Sequence, residues 1–229
     1  MMLSIHQPQY LPWLGYIDKI ERADIFIILD NVQYKKNEWQ NRNRIKAADG
    51  WQWITVPVLY NFPEKINEVR INNKVEWRRK HRNAIETNYI KAPFFAEYFP
   101  YFKELYEKEW ERLVDINIAF LKVITGFFGV DTRTLLASEI DTRDDPTGRL
   151  IDLCRTVGAA TYLSGREGPN YMDMDAFKKA GIDLVVQDFK HPVYQQMYGG
   201  FEPNLSCIDL LFNCGNKGME IIKKARVSP

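Results

Sequence analysis

Cysteine and histidine are scarce in this 229-residue chain, with three of each. Cys154, Cys207 and Cys214 are an odd number without a CxxC pair or metal-ligand spacing, which argues against a disulfide framework or a zinc site and for buried thiols. Surplus charge is missing too: 31 basic residues face 30 acidic ones, so no global field draws the chain to nucleic acid or an anionic membrane. Any anion site must therefore be local. Long apolar runs are absent, since IFIIL and GFFGV fall far short of the roughly 20 residues a spanning helix needs. Pro8 and Pro12 interrupt the only early apolar stretch, and no basic leader precedes it. Neither a secretory signal nor membrane insertion is expected, and the chain reads as one cytoplasmic α/β domain over residues 1–229. Repeats and low-complexity segments are also lacking.

What is present is alternation. Residues 2–6 and 24–30 read as short apolar strands flanking the helix GYIDKIERA, a β-α-β opening with a parallel pair. Segments 40–46 and 51–57 are joined by Ala-Ala-Asp-Gly, a hairpin signal. Trp77, His81, Ile85 and Tyr89 recur at helical spacing, and one long helical segment is expected after Pro93 and Pro100, to about Phe127. The WRRKHR run reads as a solvated helix face rather than a nucleic-acid patch. Next come the strand TRTLLAS, a helix capped by Asp145 with Pro146 at its first position, and the strand ATYLS. NYMDMDAFKKAG predicts a helix closed by Gly181, and IDLVVQDF a strand of the buried parallel kind. A last helix is capped by Ser206 and ended by Gly215. Alternating strands and helices predict an α/β fold with a mostly parallel sheet, a β-hairpin flap and a helical insertion near 75–127.

In such sheets, ligands bind beyond the carboxyl ends of the strands. Three polar clusters follow predicted strands in that way. The first is His6-Gln7-Pro8-Gln9-Tyr10, with Gly15 opening the helix so that backbone N–H groups can approach a phosphate. The second is Asp30-Asn31-Val32-Gln33-Tyr34-Lys35-Lys36. The third runs from Ser164 through Arg166 to Tyr171, and Arg166 offers a planar fork suited to carboxylate or phosphate. On a strand, Arg42, Arg44 and Lys46 share one face, either a stripe that covers a phosphate or a solvated edge kept charged against aggregation. After the last strand, His191, Tyr194 and Gln195 crowd a long loop of the sort that is uncommon unless functional.

The combination IHQPQYLPWLGYIDKI, DNVQYKKNEWQNRNRI, YLSG and HPVYQQ through FEPNLSCIDLLFNCG resembles the WbqC-like protein family over essentially the whole chain. Members of that family occur in bacterial polysaccharide gene clusters, O-antigen clusters among them, and some have been proposed to transfer glycine onto an amino sugar. The opening unit also looks like the start of nucleotidylyltransferases and pantothenate-synthetase-like ligases, whose His-x-Gly-His element holds ATP phosphates; here Leu14, Gly15 and Tyr16 stand instead. The sheet expected from this likeness is Rossmann-like.

The resemblance implies a transferase or ligase that joins a small acyl group to a sugar amine, the acyl group activated as an adenylate or as a thioester on an acyl carrier. Its substrate would be a nucleotide-linked amino sugar. Lys35, Lys36, Arg42, Arg44 and Arg166 are candidates to offset phosphate charge, and His6 or His191 to take the amine's proton. ATP with magnesium would serve an adenylating route, with Asp30, Glu167 and Asp188 as oxygen ligands, although no spacing demands a metal. The alternatives are a nucleotidylyltransferase acting on a sugar or alcohol phosphate, and a non-catalytic sugar-nucleotide-binding protein.

Overall fold

The computed structural model describes residues 1–227. In chain order the elements are β1 (Met2–His6), α1 (Leu14–Arg22), β2 (Ile25–Ile28), β3 (Arg42–Ala47), β4 (Gly50–Thr55), β5 (Val58–Leu59) and β6 (Arg70–Ile71). Helices α2 (Trp77–Tyr89), α3 (Phe95–Glu107) and α4 (Leu113–Phe127) follow, then β7 (Arg133–Leu136), α5 (Pro146–Val157), β8 (Thr161–Ser164), α6 (Met174–Lys179), β9 (Asp183–Val186), α7 (Cys207–Cys214) and α8 (Gly218–Lys224).

The central sheet runs β7-β2-β1-β8-β9, with every pair parallel. Numbered by appearance within the sheet, this is the Rossmann-like order 3-2-1-4-5. Strand β2 shows why the sheet is covered on both sides. Ile25 and Ile27 join Leu3, Ile5, Leu150 and Phe177 in one apolar cluster. Phe26 and Ile28 join α1, α7 and the α2–α4 helices in a larger one. A strand with both faces buried needs no polar alternation, and IFII has none. Each such side chain contributes about 1.5–3 kcal/mol by leaving water.

The α/β class, the parallel sheet and the flap are as expected, and the differences have local causes. The helical segment leading to Phe127 is two helices, α3 and α4, broken at residues 108–112. Pro100 sits inside α3, so it is not the breaker. The break arises because residues 111–113 pair with β6: the Ile71 amide donates to Glu111 O (2.8 Å), and the Leu113 amide to Val69 O (3.0 Å). Strand β9 is an edge strand with Val186 37% exposed, not the buried kind, since β8 alone pairs with it among the described residues. Helix α6 is shorter than expected because Asp173 caps it, accepting from the Ala176 amide at 3.0 Å. The chain resumes as α8 after Gly215, whose φ of +57° ends α7.

Candidate functional site

The strand order reverses between β1 and β8, and chains leaving neighbouring strands diverge there, which opens a crevice at their carboxyl ends. A cleft of about 880 Å³ lies at this rim. His6 lines it from the end of β1, Gln7, Gln9 and Trp13 from the loop that follows, Gln33 and Lys35 from that after β2, Gly165, Arg166 and Glu167 from that after β8. Arg44 of β3, Arg149 of α5, and Gln187 and Phe189 after β9 complete much of the wall. The three polar clusters thus meet around one hollow.

Charge marks this hollow out in a chain whose overall net charge is only +1. Its lining holds five basic side chains (Lys19, Lys35, Arg44, Arg149, Arg166) and one carboxylate, Glu167; Arg149 and Arg166 each face a carboxylate outside the lining, Asp144 at 3.7 Å and Asp188 at 3.4 Å. A second groove of about 710 Å³ near β7 is lined by four of each sign and has no such bias. Gln9 Oε1, Tyr16 Oη, Arg44 Nε and Arg149 Nε are buried without a hydrogen-bond partner, and all four residues line the cleft. Native proteins rarely leave such atoms orphaned, so a cleft that gathers four invites a polar occupant.

His6 ends β1 against the edge of Tyr16, ring centroids 4.9 Å apart. Its Nδ1 lies 3.1 Å from Gln7 O. A carbonyl only accepts, so Nδ1 carries the hydrogen and neutral His6 is left with Nε2 as an acceptor. Burial, and then the charge of Lys19, push the imidazole down to about 3. It therefore stays neutral at physiological pH and is a weak proton acceptor there. Lys19, on α1, is only 3% exposed, and its Nζ donates to Ile5 O at 3.1 Å. Burial pulls this amine down to about 7.

The loop between β1 and α1 is shaped by packing. A Cβ at residue 15 would stand 2.2 Å from the Trp13 ring, so glycine here lets the indole close over the helix start. That is a steric reason for Gly15 where a phosphate approach was expected, although Gly15 does line the cleft. Gln187 Nε2 donates to Gly15 O (2.8 Å) and to buried Asp18 (2.7 Å), whose other oxygen accepts from Arg226 Nε at 2.6 Å. Gln187, just after β9, and Arg226 of the C-terminal segment thereby fix α1 under the cleft.

Beside it, the outer face of the β3–β4 hairpin alternates guanidinium and indole. Arg44 pairs with Trp53 across the strands, and Lys46 with Trp51. Arg42 lies 4.3 Å over the Trp53 ring and Arg44 4.9 Å over Trp51. Trp39, Trp51 and Trp53 remain 37–40% exposed. Arg44 and Trp39 reach the cleft. Flat rings with fixed cations suit stacking on a base or sugar beside an anion.

Other candidates lie elsewhere. Tyr10 is fully buried. His81 Nε2 donates to Thr55 O (3.1 Å), so its Nδ1 accepts from Tyr10 Oη (2.9 Å), which accepts from Tyr106 Oη at 2.5 Å. Asp30 takes two hydrogen bonds from Ser138, tying the end of β2 to that of β7. Ser164 is buried and donates to Gly165 O. Lys36 and Arg42 are outside the lining, and Arg42 donates to Asn37 O. His191 packs against Tyr194 and Phe201, away from the lining. Tyr194 Oη donates to buried Asp209 (2.8 Å), which also binds Tyr89 and Gln196. Gln195 is exposed, and Gln196 is the buried partner. No group of three or more His, Cys, Asp or Glu side chains suited to a metal forms among the described residues.

A family model described as the WbqC-like protein family matches residues 7–221. The chain belongs to that family. A protein of Mycobacterium tuberculosis (strain ATCC 25618 / H37Rv), named "Uncharacterized protein Rv1507c", is 38% identical over 228 residues, covering 98% of each chain. No solved structure matches. In this WbqC-like chain the match takes in all three polar loops except His6. Lys19, Arg149 and Gln187 line the cleft yet were absent from the sequence-based candidates. Lys19 had a signal, a lysine flanked by Tyr16, Ile17 and Ile20 on the apolar side of a short helix, while Arg149 and Gln187 depend on the tertiary fold.

Proposed function

We propose that this WbqC-like protein transfers a small acyl group, such as glycine, to the amine of a nucleotide-linked amino sugar for a bacterial surface polysaccharide of the O-antigen type. The observation that supports this reading best is the excess of basic side chains over a single carboxylate in the lining of the switch-point cleft. A nucleoside diphosphate supplies the opposite charge, and the Trp39 and Arg44 edge offers a place for a flat ring.

The same excess suits the chemistry. An amine attacks a carbonyl only when unprotonated, and positive surroundings favour loss of its proton. His6 Nε2, an acceptor, can hold the remaining N–H. The amine nitrogen then bonds to the acyl carbon as the C–O or C–S bond of an adenylate or thioester breaks. The leaving group departs with that electron pair, and the proton shed by the nitrogen goes to the departing thiolate or, for an adenylate, to solvent. His6 orients the nucleophile in this scheme and contributes little as a base.

The test incubates the protein with nucleotide-linked amino sugars, with glycine plus MgATP or with acyl thioesters, and follows the sugar nucleotide by mass spectrometry. Gain of one acyl group on the sugar is expected. Pyrophosphate release from a nucleoside triphosphate with no acyl donor would instead favour a nucleotidylyltransferase, a reading the 3-2-1-4-5 sheet also accommodates. Saturable binding without any product would leave a binding protein.

A further inference from the structure

Lys19 is a buried lysine for which the fold supplies no carboxylate; Lys46, equally buried, shares that lack but stands outside the cleft lining. Among the described residues, no Asp or Glu oxygen lies within 4.0 Å of its Nζ. The adjacent Asp18 is engaged by Gln187 and Arg226, and Glu21 by Lys223 and Arg226. An ammonium has three N–H donors, and one of them goes to Ile5 O. A side chain 97% out of water with donors to spare is costly unless something binds them. The residue lines the cleft together with neutral His6 from β1, Tyr16 of its own helix and Tyr162 of β8. The lining also holds Arg149 of α5 and, after β8, Arg166 and Glu167, whose carboxylate accepts from Asn170 Nδ2 at 2.6 Å. Glu167 is the one carboxylate in that lining, and it makes no ion pair with Lys19.

We infer that Lys19 is an anion-binding residue whose counter-ion arrives with the substrate: a phosphoryl or carboxyl oxygen settles at Nζ, and its binding carries a proton onto the amine. This rests on the proposed function only in taking the cleft as the substrate site. Free Lys19 is poised for such uptake because burial holds it near 7. At pH 8 about nine-tenths of it is unprotonated, and an anion in contact restores the charge.

The experiment is calorimetry on the full chain at pH 8 in two buffers of different ionisation enthalpy. Inorganic pyrophosphate and a panel of nucleoside diphosphates are the phosphoryl probes, and glycine and acetate the carboxyl probes. Uptake of roughly 0.5–1 proton per bound anion is expected, fading toward zero at pH 5.5, where the amine is already charged. Lys19→Met should bind at least ~10-fold more weakly, without uptake. Should that variant not fold, ε-13C-lysine labelling of the wild type gives the same answer: one lysine signal should titrate near neutrality and move to higher pH with saturating anion.

Anions that bind equally well with no proton uptake, or a lysine signal indifferent to every probe, would overturn the inference while leaving acyl transfer open. Anion-linked charging of Lys19 in a protein that acylates no nucleotide-linked sugar would uphold the inference and defeat the proposed function. Uptake with the carboxyl probes alone would assign the position to the acyl donor.

Discussion

Replacing Lys19 by Met should make the protein more stable at neutral pH, and the gain should vanish in alkali. The unfolded chain keeps this proton up to about 10.5, and the folded chain releases it near 7. Between those values the unfolded state binds more protons, so wild-type stability rises with pH, by up to about 1.4 kcal/mol per pH unit from this group. Below 7 both states are protonated, and the penalty is constant. Integrated from 10.5 down to 7, the penalty at pH 7 is about 4 kcal/mol. Methionine has similar length and no charge to desolvate, but it leaves Ile5 O without its donor, a loss of about 1 kcal/mol. The net expectation is a stabilisation of roughly 3 kcal/mol at pH 7, shrinking through zero as the pH nears 10. Urea unfolding followed by circular dichroism at pH steps from 6 to about 10 measures it, with the midpoint and slope read separately. Parallel curves for variant and wild type would refute the reasoning, since they would mean that Lys19 carries its charge in the folded state at no cost.

The remaining perturbations address other parts of the same site. Gly15→Ala places a methyl group where the Trp13 ring lies, so the indole must lift. A shift in tryptophan emission and a loss of about 1–3 kcal/mol should follow. Arg226→Met strips buried Asp18 of its guanidinium and should cost about 3–5 kcal/mol, seen by calorimetry as a melting temperature lowered by about 6–20 °C; an unchanged transition would deny the clasp. As pH falls from 6.5, the unfolded state protonates His6 and the folded state, held down to about 3, does not. Wild type should therefore lose about 2 kcal/mol from this group by pH 5, and His6→Gln should flatten that limb of the stability curve.

The fold was legible where one local cause decides. IFII alternates between two apolar clusters and so had to lie inside a sheet covered on both faces. Asp145 followed by Pro146 starts α5 as read, because the carboxylate takes the Gly148 amide at 2.6 Å while proline gives up an amide the helix would have left unpaired. The misreadings are of another kind. Nothing between Lys108 and Arg112 is a strong helix breaker; the helix yields there because the segment pairs with Arg70 and Ile71, forty residues earlier. Strand β9 has apolar residues enough for a central strand, and only the sheet order puts it at the edge.

The candidate site divides along the same line. Loops directly after strands were predictable as rim, because a parallel sheet sends every strand's carboxyl end to one side. Which side chains on those loops point into the crevice was not, and Tyr10 shows why. Its hydroxyl completes a chain from Tyr106 to His81, three residues scattered over almost a hundred positions, and that buried network turns the ring away from its polar neighbours His6, Gln7 and Gln9. Lys19 is the opposite case: it was no candidate although Tyr16, Ile17 and Ile20 flank it, and α1 packs so closely on β1 that Nζ reaches the Ile5 carbonyl. A short helix pinned from below by Gln187 and Arg226 cannot swing to give that amine back to water. The same pinning that makes a charged Lys19 costly is what would keep it aimed at a ligand.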